Sequence, residues 1–160
     1  MDRIWSPWRY QYIATADAAQ ECIFCAKPAE NRDEQNYIVH RGERCFVLLN
    51  LYPYTSGHLM IAPYEHVATL EEAAEASLLE MMRLARDAER HLRRAYRAEG
   101  LNVGMNIGKC AGAGVAGHIH MHVLPRWTGD ANFMSTVGEA RVLPEELTET
   151  QRKLSQAFRE

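Results

Sequence analysis

The stretch that most constrains this chain is Gly117-His118-Ile119-His120-Met121-His122-Val123-Leu124-Pro125-Arg126-Trp127, in which three of the seven histidines recur at a spacing of two. In an extended strand successive side chains point to opposite faces, so His118, His120 and His122 form one row and Ile119, Met121 and Val123 the other. On a helix the same residues would fan around the axis and could not act together. The spacing therefore predicts a strand with an apolar face for a core and an imidazole face for chemistry. A row of imidazoles offers a nucleophile, proton carriers, phosphate hydrogen-bond donors or metal ligands. The strand alone does not choose among them.

Such a strand needs partners. Tyr37–Arg41 and Arg44–Asn50 read as strands joined by a turn around Gly42. His58–Ala62 reads as a third, entered through the turn residues of Leu51-Tyr52-Pro53-Tyr54-Thr55-Ser56-Gly57 and closed by Pro63. From about Thr69 to Ala98 the period changes: Leu70, Ala74, Leu78, Met81, Met82, Ala85, Ala88 and Leu92 fit a 3.6-residue repeat. Glu71 and Glu72 come early and Arg93, Arg94 and Arg97 late, the charge order a helix dipole favours, and Gly100 supplies the stop. One long amphipathic helix over 69–98 is expected. Leu101–Ile107 is a further strand, followed by a glycine-rich loop from Gly108 to Gly117. Lys27 to Asn36 is polar and reads as a loop, and the polar stretch from Val142 to Phe158 ends in a helix beginning near Pro144. Residues 1–21 carry Trp5, Pro7, Trp8, Tyr10 and Tyr12 and read as an aromatic arm packed on its own domain or on a partner subunit; residues 142–160 read as a C-terminal extension. With 160 residues, no internal repeat and no linker, residues 1–160 form a single domain.

A formal net charge of -3 leaves no basic field for a nucleic-acid polymer. No apolar run reaches transmembrane length, which argues against a membrane partner, and Met1-Asp2-Arg3-Ile4-Trp5 lacks the apolar core of a secretory signal. The expected location is the cytoplasm, where thiols stay reduced and the four cysteines are free or bind metal.

Gly112-Ala113-Gly114-Val115-Ala116-Gly117 spells the dinucleotide fingerprint, but that fingerprint works only where the glycines open a helix. A period-two strand follows instead, and no Gly-Lys-Ser/Thr ending makes it a Walker loop. What remains is flexible backbone beside the histidines, whose amides around Gly114 could hold phosphate oxygens. Cys22-x-x-Cys25 lacks the strand-then-helix setting of a redox pair, so it reads as half of a structural zinc site, with His66 and one triplet histidine available as further ligands. Cys45 and Cys110 read as ordinary core or loop residues, His40 and His91 as surface residues, and His58, after Gly57, as a residue able to face the triplet. A catalytic metal held by two or three of the triplet histidines is the rival use of that strand, although no nearby Asp or Glu stands out as a base or further ligand.

His118-Ile119-His120-Met121-His122-Val123-Leu124 resembles the His-φ-His-φ-His-φ-φ signature of the histidine triad (HIT) superfamily. Leu49-Asn50-Leu51-Tyr52-Pro53, Gly57-His58-Leu59-Met60-Ile61-Ala62-Pro63 and Asn102-Val103-Gly104-Met105-Asn106-Ile107-Gly108 resemble further segments of it, in the family's order. Trp5-Ser6-Pro7-Trp8-Arg9 and Trp127-Thr128-Gly129-Asp130-Ala131-Asn132-Phe133 resemble a bacterial branch that includes diadenosine tetraphosphate phosphorylases. The resemblance covers most of residues 1–145. It implies an α+β fold, a five-stranded antiparallel sheet with one long helix packed on it, and homodimers with the two sheets joined.

The resemblance also implies roles. His120 would attack the α-phosphorus of a nucleotide, splitting one transfer into two steps through a nucleotidyl-histidine. His122 and His58 would hold phosphate oxygens and assist proton transfer, and Asn106 would hydrogen-bond the phosphate or leaving group. Asn50 would contact the sugar, with apolar neighbours such as Leu49 flanking the base. Zinc-bearing members pair a Cys-x-x-Cys with the histidine of a Pro-x-x-His segment and the first triad histidine; here those are Cys22, Cys25, His66 and His118. Four such ligands make a closed, structural zinc site, and no organic cofactor is implied. Having this pair at all departs from some phosphorylase-like relatives. The function expected is a nucleotidyl hydrolase or transferase acting on dinucleoside polyphosphates, with water or inorganic phosphate as acceptor. The alternatives are a metal-dependent hydrolase using the triplet and a nucleotide-binding protein without turnover.

Overall fold

The computed structural model describes residues 21–131 and 143–159. The aromatic arm with Trp5, Trp8, Tyr10 and Tyr12, and the Asn132-Phe133 end of the late segment, lie outside the described residues. Two short helices, α1 (Ile23–Ala29) and α2 (Asp33–Asn36), precede strands β1 (Ile38–Arg41), β2 (Cys45–Leu49) and β3 (Leu59–Pro63). The long helix α3 (Glu75–Tyr96), strand β4 (Gly100–Met105), a 3-10 turn (Lys109–Ala111), strand β5 (Met121–Arg126) and helix α4 (Leu147–Ala157) complete the order. The five strands form one antiparallel sheet in the order β1-β2-β3-β5-β4, the α+β arrangement expected.

The sheet alternates cleanly between two cores. Cys45, Val47 and Leu49 of β2, Leu59 and Ile61 of β3, and Ile119, Met121 and Val123 pack under α3. Phe46, Leu48, Met60 and Ala62 point the other way and meet Phe24 and Ile38. The buried stripe of α3 is Met81, Leu84, Ala85, Ala88, His91 and Leu92, an i, i+3, i+4, i+7 face against the sheet. Met82 and Leu70, placed on that stripe by the sequence repeat, are instead 57% and 43% exposed, and Ala74 is exposed too. The helix also begins at Glu75 rather than near Thr69. The reason lies in local hydrogen bonds that compete with the helix: the Ala68 N–H donates to Glu72 Oε2 (2.8 Å), the Glu72 N–H to Thr69 Oγ1 (3.3 Å) and the Ala74 N–H to Glu65 Oε1 (3.1 Å).

The polar stretch from Lys27 to Asn36 is not a loop but the end of α1, a turn, and α2. Its polar groups stitch it together. Asn36 Nδ2 donates to the Lys27 carbonyl (3.1 Å) and to Glu30 Oε2 (2.9 Å), and the Arg41 guanidinium spans Asp33 and the Pro28 carbonyl. His40 and His91 are not surface residues either: the C-terminal segment lays Phe158 against both, with ring centroids 5.1 and 4.5 Å apart, leaving His91 6% exposed. No helix among the described residues is long and apolar enough to cross a membrane.

Candidate active site and thiol–imidazole cluster

The strand that carries the histidines enters the sheet in two steps. His118 to His120 lie outside the strand, with a bend at His118 and the Ile119 N–H donating to the Val67 carbonyl at 2.8 Å; from Met121 the chain pairs with both β3 and β4. Ile119, Met121 and Val123 are 2%, 7% and 0% exposed beneath α3, so the period-two reading holds and all three imidazoles lie on the opposite face. They do not act as one row. His118 turns toward the cysteines, while His120 and His122 stay together at a ring separation of 5.0 Å.

Backbone groups fix the tautomers in turn. His120 Nδ1 lies 2.9 Å from the His118 carbonyl, which can only accept, so Nδ1 carries the proton and Nε2 keeps its lone pair. The Tyr54 N–H donates to His58 Nδ1 at 3.2 Å, so the proton of His58 is on Nε2, which meets His122 Nδ1 at 2.9 Å. His122 accepts there, and in its neutral form it carries its own proton on Nε2. The result is a chain from Tyr54 through His58 to His122, ending in an N–H beside His120. Burial first, and then the neighbouring His122 and His120 rings, hold His58 down to about 3. Burial also lowers His120 below the usual imidazole range, against the opposing pull of its bond to the His118 carbonyl. Both rings are therefore neutral at pH 7, the state a nitrogen nucleophile requires.

His118 belongs to a second site. Its Nε2–H donates to the Pro63 carbonyl at 2.9 Å, leaving Nδ1 as an acceptor 3.4 Å from Cys22 Sγ and 3.6 Å from Cys25 Sγ. His66 Nδ1 is 3.3 Å from Cys25 Sγ, and the four ligating atoms all lie within 4.8 Å of one another. A tetrahedron with zinc–nitrogen and zinc–sulfur bonds of about 2.0 to 2.3 Å has edges of about 3.3 to 3.8 Å; the donor set fits that ion in chemistry, and the three sulfur–nitrogen separations of 3.3, 3.4 and 3.6 Å match those edges. Burial, and then the hydrogen bond and charge of Cys22, push the Cys25 thiol up to about 11. A divalent cation is the partner that would offset this crowding. Among the described residues neither His120 nor His122 joins such a ligand group, so the triplet does not converge on one metal.

The other candidate residues divide. Asn50 pairs with His58 through backbone (3.0 Å), and its Oδ1 accepts the Tyr52 N–H at 2.9 Å, shaping the turn that carries Tyr54. Gly104 pairs with His122 and Met105 with Met121, and half-buried Asn106 follows directly after the end of β4. Gly114 is half-buried in the loop before His118. Leu49 is a correction: it is 1% exposed in the core under α3, because side-chain alternation turns Leu48, not Leu49, to the imidazole face. His58 is 1% exposed with both ring nitrogens engaged, so in this conformation it orients His122 rather than reaching outward. Two residues escaped the sequence reading. Phe24 packs at a tilt against the rings of His120 (4.7 Å) and His118 (5.3 Å), and Tyr54 packs against His58 (4.8 Å). The signal for Phe24 was its position between the two cysteines.

A model of the HIT domain matches residues 31–129. The chain is 39% identical over 162 residues to a protein named AP-4-A phosphorylase from Mycobacterium tuberculosis, covering 97% of this chain and 83% of that one. It is 34% identical over 113 residues to an uncharacterised HIT-like protein of Saccharolobus solfataricus, covering 71% and 79%. Of solved structures, a hypothetical histidine triad nucleotide-binding protein from Sulfolobus tokodaii superposes with a TM-score of 0.69 at 28% identity, over 86% of this chain and 92% of that one. A zinc-bound histidine triad family protein from Mycobacterium smegmatis shares the fold with a TM-score of 0.64 at 23% identity, over 93% and 92%.

Proposed function

Because the chain belongs to the HIT domain family, we propose that it is a nucleotidyl hydrolase or transferase acting at the α-phosphate of dinucleoside polyphosphates, through a covalent nucleotidyl-histidine on His120. The observation that carries this reading is the bond from His120 Nδ1–H to the His118 carbonyl, which leaves Nε2 as a neutral, oriented nucleophile. The name of the mycobacterial relative supports the substrate class.

In the first step His120 Nε2 bonds to the α-phosphorus as the bond to the leaving polyphosphate oxygen breaks. The positive charge that develops on the ring is stabilised through Nδ1–H by the His118 carbonyl. The leaving nucleotide departs as an anion, to which the His122 Nε2–H and Asn106 would donate hydrogen bonds. In the second step an acceptor oxygen displaces Nε2 and restores the neutral ring. From diadenosine tetraphosphate, water as acceptor yields AMP and ATP, and inorganic phosphate yields ADP and ATP. Asn50 remains the candidate sugar contact, and the amides around Gly114 remain candidates for the phosphates.

Cys22, Cys25, His66 and His118 are proposed to hold zinc. Four protein ligands leave no open position, so the ion would supply cohesion between α1 and the strand rather than chemistry. Two copies joined along the exposed edge strand β4, where Asn102, Val103 and Gly104 face solvent, form the proposed homodimer.

Incubation with diadenosine tetraphosphate, with and without inorganic phosphate, tests the reading when AMP is resolved from ADP. Turnover is expected in at least one condition, falling by on the order of a thousandfold or more in His120→Ala. Undiminished turnover in that variant would exclude the covalent route.

A further inference from the structure

The nucleophile and the thiol–imidazole cluster share their supports. The His120 ring is held by three neighbours: the His118 carbonyl on Nδ1 (2.9 Å), the Phe24 ring over its face (4.7 Å, tilted 30°) and His122 at its edge (5.0 Å). Two of these three belong to the cluster segment. His118 offers Nδ1 to the thiols and its backbone oxygen to His120, so one residue connects both sites. Phe24 sits between the cysteines, is 1% exposed, and touches the rings of His118 and His120 together.

Phe24 packs in the apolar core with Ile38, Phe46, Leu48, Met60 and Ala62, and the helix that carries it depends on further attachments at its two ends. Helix α1 has seven residues, no side-chain N-cap and Pro28 inside it, and so short a helix does not persist without tertiary attachment. Its C-terminal end is tied by Arg41 to the Pro28 carbonyl (2.9 Å) and by Asn36 to the Lys27 carbonyl (3.1 Å). At its N-terminal end the polar tethers are the contacts of Cys22 and Cys25 with His118 and His66.

We propose that the Cys22–Cys25 segment is a positioning device for the nucleophile, with Phe24 the positioning residue: closing the cluster presses Phe24 on His120 and fixes the His118 carbonyl that selects its tautomer. The proposal rests on the reading of His120 as the nucleophile. It goes beyond a zinc that merely holds the fold, because it makes the reaction rate depend on the state of a site that touches no substrate. A misplacement of about 1 Å in a reacting group costs on the order of a hundredfold in rate, so a loosened ring has a measurable signature.

The test compares the full chain loaded with zinc, the same chain stripped by a chelator, and the zinc-loaded variants Phe24→Ala and Phe24→Leu. Each is read twice: by nitrogen-15 correlation spectra of the His120 ring, and by single-turnover rate and KM with diadenosine tetraphosphate. The expected result is one sharp Nδ1–H tautomer in the loaded wild type. Stripping the metal or Phe24→Ala should give exchange between tautomers and a fall of about tenfold to a hundredfold in the single-turnover rate, with KM within about twofold. Phe24→Leu, which keeps apolar bulk, should recover much of the rate. Unchanged ring signals and rate on stripping would overturn the proposal, and so would a raised KM at constant rate in Phe24→Ala, since that marks Phe24 as a substrate contact alone. Should Phe24→Ala not fold, the stripped wild type and Phe24→Leu decide the matter. If the ring signals respond as expected but no form turns over, the nucleophile reading fails while the positioning stands.

Discussion

The histidine chain makes a quantitative prediction about acid stability. His58 is buried with Nδ1 accepting from Tyr54 and Nε2 donating to His122, and its pKa is held at about 3. In the unfolded chain a histidine titrates near about 6.5. Between these two values the unfolded chain binds a proton that the folded one refuses, so stability rises with pH across that window. The contribution is whole above about pH 6.5 and is lost as the pH falls toward 3. One proton is worth about 1.4 kcal/mol per pH unit, so His58 alone should remove about 2 kcal/mol between about pH 6.5 and pH 4.5. The assay is denaturant unfolding of the wild type and of His58→Gln across that range. Glutamine can still donate toward His122 Nδ1 but does not titrate. Protonation of the cluster ligands and carboxylates is common to both proteins and cancels in the difference. The wild-type curve should therefore be steeper by nearly one proton, whatever the offset at neutral pH. Parallel curves would refute the claim that His58 is held neutral by burial.

Other outcomes follow from packing and the cluster. Gly57 has φ +82°, and a Cβ there would lie 3.0 Å from Leu92 Cδ2 and 3.3 Å from Pro125 Cγ, so Gly57→Ala should cost about 1–3 kcal/mol in thermal unfolding. Leu92→Ala, at a side chain with no exposure, should cost about 2–5 kcal/mol, whereas Met82→Ala on the solvent face should stay within about 0.5 kcal/mol; comparable losses at both positions would mean the helix is rotated. Elemental analysis should find zinc bound one to one, lost in Cys25→Ser, with chelation lowering the melting temperature; freely titratable thiols in metal-free protein of unchanged stability would count against the site.

Much of this was legible because two periodicities compete openly along the chain. The period-two alternation of His118–Val123 and the 3.6-residue repeat ending at Leu92 each allow one kind of element; the helix followed, and the strand followed from Met121 onward. What failed depended on tertiary neighbours. His91 looks like a surface histidine until Phe158 arrives from the far end of the chain to cover it. Lys27–Asn36 has the composition of a loop, yet its polar groups satisfy one another and the Arg41 guanidinium, which no local pattern encodes. Leu49 shows how the alternation rule could have been pressed further: Leu48 and Met60 share a face with His122, so Leu49 had to face α3. At the site, ligand identities for the cluster came from spacing and resemblance, whereas the division of labour among the imidazoles depends on which backbone carbonyl or amide meets each ring nitrogen.

The central claim is that His120 is nucleotidylated during turnover. Rapid quenching of the protein with diadenosine tetraphosphate radiolabelled at its α-phosphates tests it directly, followed by peptide mapping. The label should remain on the denatured protein, be lost in acid and kept in base as a phosphorus–nitrogen bond requires, map to the peptide containing His120, and be absent from His120→Ala. Turnover without labelled protein at any quench time, or label on a peptide lacking His120, would contradict it.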